Sequence, residues 1–179
     1  MSTKTKSIVQ ISMVVCIICI CAWITIPFVL PFTMQSFAVF FSIGLLGGKK
    51  GFISISVYLL LGMIGLPVFS GFTGGLGILL GPTGGFLVGF LFCSLIYCLI
   101  EPLNNKLNFS KTIIEVCSFA LCMMIYYLFG ILGFALYSNL TDLLSILSVC
   151  FFPYVIPDIF KILLAITLCK RIKPYLNSY

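Results

Sequence analysis

The chain has 179 residues, of which 61% are hydrophobic and 8% charged, with a mean hydropathy of +1.27. So little polar surface cannot coat a soluble globule of this size, and the chain belongs in lipid. Its net charge of +6 comes from ten basic residues scattered in ones, twos and threes between apolar runs. Nucleic acid wants such charges gathered on one face, so membrane topology explains them and a nucleic-acid partner is excluded.

A crossing needs roughly 20 apolar residues, so the lengths of the uncharged runs set the number of spans. Ser7 to Gly48 is free of charge for 42 residues and Gly51 to Ile100 for 50, each suited to two crossings. The run Val116 to Thr141 suits one, and Leu143 to Cys169, broken only by Asp158 and Lys161, suits another. The expectation is an all-α integral membrane protein, one membrane domain over 1–179 with six transmembrane helices. No small-x-small cleavage site follows the first apolar stretch, which therefore reads as a span and not as a signal peptide.

In chain order, the first span covers 8–26 and stops at Pro27 and Pro31, and the second covers 33–47. A Gly-Gly-Lys-Lys-Gly turn occupies 47–51, ahead of a third span over 52–66. Pro67 opens a glycine-rich connection, 67–82, and the fourth span follows over 83–100. A polar linker, 101–111, leads to the fifth span, 112–137, and the sixth covers 143–169. With the N-terminus in the cytoplasm, Lys4, Lys6, Lys49, Lys50, Lys106, Lys111, Lys170, Arg171 and Lys173 all fall inside, and no basic residue falls outside. That asymmetry places both termini in the cytoplasm.

Lys161 alone escapes the pattern. It precedes Lys170 by nine residues, which at 1.5 Å per residue puts it roughly 14 Å into a hydrocarbon core about 30 Å thick. Asp158 stands one turn away on the same helical face, so the two can neutralise each other. A charge at this depth costs about 2.5–3.5 kcal/mol on insertion scales, so both must face protein or a cavity. A structural ion pair and a ligand site both satisfy that demand. Pro157 suits the first turn of a helix and would set Asp158 near a helix N-terminus.

Ten of the sixteen glycines lie between Gly62 and Gly89. Non-helical backbone at membrane depth is tolerated only where it is buried in protein or lines a cavity, so this stretch is either a lid or an exposed loop flanked by close helix packing. Thr33 and Gln35, beside Phe32 and Phe37, are either pocket residues or ordinary helix-start residues. Trp23 reads as an interfacial anchor, and Tyr126, Tyr127 and Phe129 read as packing. Asn139-Leu140-Thr141 spells a glycosylation acceptor. Nine cysteines, an odd number, lie mostly within apolar runs and imply no disulfide framework. Cys16 and Cys19 spell CxxC, but with no histidine and no second pair a metal site is not expected. Neither GxGxxG nor GxxxxGK[ST] occurs, so this chain does not power transport by hydrolysing ATP. Four carboxylates without histidine offer no convincing acid–base pair, so it does not read as an enzyme.

Three stretches carry a resemblance: Pro31-Phe32-Thr33-Met34-Gln35-Ser36-Phe37; Gly65-Leu66-Pro67-Val68-Phe69-Ser70-Gly71 running on to Gly81-Pro82-Thr83-Gly84-Gly85-Phe86; and Pro157-Asp158-Ile159-Phe160-Lys161. In order and spacing they resemble the BioY family, the biotin-specific substrate-binding components of energy-coupling-factor (ECF) transporters. The resemblance implies a multi-pass protein of the prokaryotic plasma membrane with a cavity near the outer face, capped by the connections between helices one and two and between three and four. It implies biotin as transported ligand with no cofactor, and association with a membrane scaffold protein and two cytoplasmic ABC-type ATPases. The loaded subunit would topple in the membrane to face the cytoplasm.

Biotin presents an apolar bicycle, a ureido group and a carboxylate. The resemblance implies ligand contacts at Asp158 and Lys161, and the chemistry of the two ends suits Asp158 to accept from the ureido N–H groups and Lys161 to pair with the carboxylate or hold Asp158 ionised. Gln35, Thr33, Phe37, Tyr58, Gly74, Gly75, Thr83, Gly84 and Gly85 are further contacts implied by position. Where family members carry alanines four apart on helix one for scaffold contact, this chain has Ser12 and Cys16. The alternatives are a subunit of the same architecture for another vitamin, and, further off, a membrane enzyme or pore.

Overall fold

The computed structural model describes residues 3–104, 111–138 and 142–178. The glycosylation triplet and Lys106 therefore lie outside the described residues. Helix α1, Thr3–Trp23, ends just before two prolines that withhold backbone donors and disfavour helix in the residue preceding each. The chain instead forms a small antiparallel hairpin, with Thr25 opposite Thr33 and Ile26 opposite Phe32. This hairpin is not expected from the apolar pattern, which continues through it.

Helix α2, Gln35–Leu46, is the centre of the molecule: the ten residues from Gln35 to Gly44 are all buried. A helix apolar on every side has no solvent or lipid face to offer, so it is surrounded, here by α1 and by the helices over 48–63 and 152–178. The expected turn over 47–51 shrinks to Gly47, whose φ of +79° requires glycine. Helix α3, Gly48–Met63, starts at once because Glu101, late in the helix over 84–104, accepts from the Gly48 N–H at 2.8 Å, satisfying a donor at the helix start.

The glycine-rich connection is folded. It holds a 3-10 turn, Ser70–Phe72, and one turn of helix, α4, Leu76–Leu79. Phe69 is 1% exposed and drives its ring against Gly62 of α3, where a Cβ would lie 2.0 Å from the ring. Helices α5, Gly84–Asn104, and α6, Lys111–Tyr137, cross closely because glycines face each other: a Cβ on Gly133 would lie 2.5 Å from the Gly85 Cα.

The last apolar region is two helices, α7, Leu143–Cys150, and α8, Phe152–Ser178, broken at Phe151. Pro153 explains the break, since it cannot donate to the Val149 carbonyl. Pro157 consequently lies within α8, and Asp158 stands six residues beyond Phe152 instead of at a helix N-terminus. Among the described residues, four helical segments are long and apolar enough to cross a membrane: Thr3–Trp23, Gly84–Leu103, Thr112–Tyr137 and Leu143–Leu176. Helix α2 is shorter, with 12 residues, and α3 has 16.

The α5–α6 contact generates a stability test. Gly133→Ala forces a methyl group into the Gly85 backbone, and overpacking of this kind costs about 1–3 kcal/mol. The expected result is a lower melting temperature in detergent; a melting temperature equal to wild type would contradict the contact.

Candidate ligand-binding site

Two broken segments meet at one end of the bundle: the hairpin between α1 and α2, and the connection between α3 and α5. Beneath them lies a cavity of about 260 Å³. Leu30, Pro31, Thr33 and Gln35 line it from the hairpin side, and Phe69, Ser70, Thr73 and Ile78 from the connection. Helix α5 supplies Thr83 (just before its start), Phe86, Leu87 and Phe90, while Tyr126 and Tyr154 come from α6 and α8. The lining is mostly apolar and aromatic with a few polar groups, as expected of a small-molecule pocket. Tyr126 stacks on Phe90 at 4.7 Å and 11°, and Tyr154 donates to the Leu30 carbonyl.

The polar groups divide by whether the protein already uses them. Thr33 Oγ1 accepts from the Gln35 N–H at 3.3 Å, Thr25 and Ser70 hydroxyls lie 3.3 Å apart, and Thr73 donates to the Ser70 carbonyl at 2.8 Å. The side-chain oxygens of Gln35, Tyr126 and Thr83 take no hydrogen bond from, and give none to, the described residues. These three are the unspent polar ends of the cavity.

Asp158 and Lys161 stand behind this wall, 3% and 6% exposed. Lys161 Nζ lies 2.8 Å from Asp158 Oδ1, 2.7 Å from the Thr33 carbonyl and 3.1 Å from Ser36 Oγ, so all three of its protons are spent. Its charge also sits 4.0 Å from the Phe32 ring centroid. Asp158 accepts from Ser36 Oγ at 2.9 Å and from the Tyr127 hydroxyl at 2.7 Å. Of the two settings open to such a pair, this is the protein-facing one: each charge is enclosed by partners from α2, α6 and the hairpin. Its immediate effect is to hold the Thr33 backbone, whose side chain lines the cavity.

The remaining residues singled out from sequence fall around this core. Tyr58 is fully buried and receives a hydrogen bond from Gln35 Nε2 at 2.9 Å. Phe37 packs on Phe41, 5.8 Å between centroids, away from the lining. Gly74 and Gly75 shape the connection, where a Cβ on Gly74 would lie 2.2 Å from the Leu66 carbonyl and Gly75 adopts φ +98°. Gly84 and Gly85 permit the close packing of α5 on Leu79 and on α6. Ser12 and Cys16 are exposed on the outer face of α1.

Sequence reasoning missed Ser36, Phe32 and Tyr127 as partners of the ion pair and Tyr126 as a cavity residue. Two buried charges demand several partners, and neighbouring tyrosines were the available signal. Trp23, expected as an interfacial anchor, donates from its indole to the Pro67 carbonyl at 2.9 Å and stacks on Phe72 at 4.9 Å.

The sequence matches the BioY family over residues 1–178. It is 35% identical over 169 residues to "Biotin transporter BioY" of Thermotoga maritima, covering 94% of this chain and 96% of that one. It is 30% identical over 173 residues to "Probable biotin transporter BioY" of Pyrococcus horikoshii, covering 95% and 98%. The fold is similar to the crystal structure of the S-component for biotin from an ECF-type ABC transporter, with a TM-score of 0.82, 27% identity, and coverage of 97% and 95%.

The enclosed pair makes a stability prediction. Lys161→Met alone strands a buried carboxylate, which costs about 3–5 kcal/mol, whereas replacing both charges removes most of that penalty. Detergent thermal unfolding is expected to rank the Lys161→Met protein well below the Asp158→Asn/Lys161→Met double variant. A double variant no more stable than the single one would show that the two charges are not coupled.

Proposed function

The chain belongs to the BioY family, and from that premise we propose that the cavity beneath the hairpin and the glycine-rich connection is its biotin site. The protein is the biotin-binding subunit of an ECF-type uptake transporter, a membrane protein and not an enzyme. The observation that carries the site assignment is the match between the cavity and the ligand's chemistry. An aromatic-lined pocket accommodates the bicycle, and the unspent oxygens of Gln35, Tyr126 and Thr83 suit the polar groups.

In this reading Thr33, Gln35 and Thr83 touch the ligand, with Tyr58 behind Gln35. Asp158 and Lys161 hold the wall, and Lys161 reaches a ligand carboxylate directly only by giving up the Thr33 carbonyl. Gly74, Gly75, Gly84 and Gly85 set the path of the connection that closes the cavity, and Phe37 packs beneath it.

The topology proposed is six crossings, with α2 and α3 as the two short ones, in the plasma membrane of a prokaryote. The bundle end opposite the cavity carries Lys4 and Lys6 at the start of α1, Lys49 and Lys50 at the start of α3, and Lys170, Arg171 and Lys173 late in α8. Contacts tie these elements together there: Lys50 reaches Gln10 at 2.9 Å, and Lys173 reaches the Gly44 carbonyl at 3.3 Å. A basic end marks the cytoplasmic side, which leaves the cavity outside. Energy would come from a membrane scaffold protein and two ABC-type ATPases, with the exposed Ser12–Cys16 face of α1 as the docking surface for the scaffold.

Purified protein is expected to carry biotin detectable by mass spectrometry. Isothermal titration of the stripped protein should show one site, with Gln35→Ala and Thr83→Val each weakening it by about fivefold to a hundredfold, the worth of one buried hydrogen bond. Capture of thiamine or riboflavin without biotin would overturn the assignment.

A further inference from the structure

Tyr58 decides which end of the Gln35 amide faces the cavity. Its hydroxyl lies 3.1 Å from the Val68 carbonyl and 2.9 Å from Gln35 Nε2. A carbonyl oxygen only accepts, so the single phenolic proton is committed to Val68. What remains on the tyrosine oxygen is lone pairs, and those demand a donor from Gln35. The amide must turn its NH2 toward Tyr58, because the flipped amide would set two acceptors against each other with no proton between them. Gln35 Oε1 is then the end left over, in a residue that lines the cavity, and no described residue donates to it.

The Val68 carbonyl is itself pinned. The Val68 N–H donates to the Leu66 carbonyl at 2.8 Å, and the neighbouring Phe69 N–H donates to the Thr73 carbonyl at 2.9 Å. Tyr58 is 0% exposed and meets the Phe69 ring edge-on at 5.5 Å. The relay thus runs from the folded connection, through a tyrosine with no freedom to move, to the cavity wall.

We propose that Tyr58 is a positioning residue that fixes Gln35 as a hydrogen-bond acceptor toward the cavity, so that the site selects a ligand carrying an N–H donor at that point. The proposal rests on the biotin assignment, whose ureido N–H groups are the donors in question. It adds a consequence for the roof: the amide has a defined polarity only while the connection is folded down and Val68 is in place. A site whose buried acceptor goes unpaired rejects the analogue lacking the donor more strongly than a site that merely loses a contact.

The test uses the stripped full-length protein in detergent, with biotin and ureido-N-methylated biotin as the two ligands. Wild type is expected to prefer biotin, and Tyr58→Phe to reduce that preference by about tenfold as the amide becomes free to rotate. In a Gln35→Ala background, Tyr58→Phe should change the preference no further. A Tyr58→Phe substitution that weakens both ligands by one common factor, or shifts the preference equally in both backgrounds, overturns the proposal. A wild type that binds both ligands alike also overturns it. A second measurement needs no ligand: by NMR, a Gln35 side-chain amide proton should be protected from exchange in wild type and unprotected in Tyr58→Phe. Free exchange in wild type overturns the orientation. If wild type binds no biotin, the functional assignment fails, and the NMR result alone decides the orientation.

Discussion

A lysine and an aspartate buried together in an apolar bundle impose the constraint around which the rest of the structure is arranged. Burying two charges is expensive unless each proton and lone pair finds a partner, and in lipid no water is at hand to supply one. Lys161 therefore gathers Asp158, Ser36 and the Thr33 carbonyl, and Asp158 gathers Ser36 and Tyr127. Those partners sit on α2, on α6 and in the hairpin, so satisfying one ion pair fixes the positions of three elements against α8. The centrality of α2 follows from the same demand, because the helix that carries Ser36 must run beside α8 at the depth of the charges.

The cavity lies where helices stop early. Gln35 opens a helix of 12 residues with Thr33 in the hairpin just before it, and Phe69, Ser70 and Thr73 belong to a connection after a helix of 16, so neither helix fills the bundle to its end. The vacated volume is closed by irregular backbone whose polar groups are paired within the protein: Gly75 N–H with the Gly62 carbonyl at 2.7 Å, Phe69 with Thr73, Trp23 with Pro67. Breaking helices near a binding site would be prohibitive if the freed groups faced lipid. Facing one another, or a ligand, they cost little.

What the sequence made legible was governed by composition and period. The apolar runs located the helices, because apolar length is what a bilayer reads, but not all of their ends: α1 begins five residues before the expected span and α8 ends nine residues after it. Lys161 stood out because a charge interrupts that pattern, and its burial with Asp158 follows directly. The hairpin at 25–33 stayed hidden because its residues are as apolar as the helix before it. The break at Phe151 was overlooked although Pro153 announces it, since the span was read for length. The relay from Val68 through Tyr58 to Gln35 joins residues 10 and 23 positions apart along the chain, and no local pattern connects them. Tyr126 and Tyr127 looked like core, which they are; that one also lines a cavity and the other holds a carboxylate depends on which way each faces in α6.

The arrangement separates rigidity from mobility. Behind the cavity, the ion pair and the buried stretch of α2 that carries Ser36 form a floor whose movement would unpair buried charges. Above it, the connection is held by weaker and fewer ties: the Trp23 indole on Pro67, a stack on Phe72, the Thr25–Ser70 hydroxyl pair, and the Tyr58 hydroxyl on Val68. Phe72 adopts φ +58°, a conformation a side chain of its size disfavours. Each of these ties is a neutral hydrogen bond or ring contact worth about 1 kcal/mol. Opening the roof thus costs far less than disturbing the floor, and a ligand that enters by lifting the roof meets a wall already shaped to receive it. A preformed wall spares a ligand part of the entropy of ordering its partners, so rigidity behind the cavity and looseness above it serve different ends.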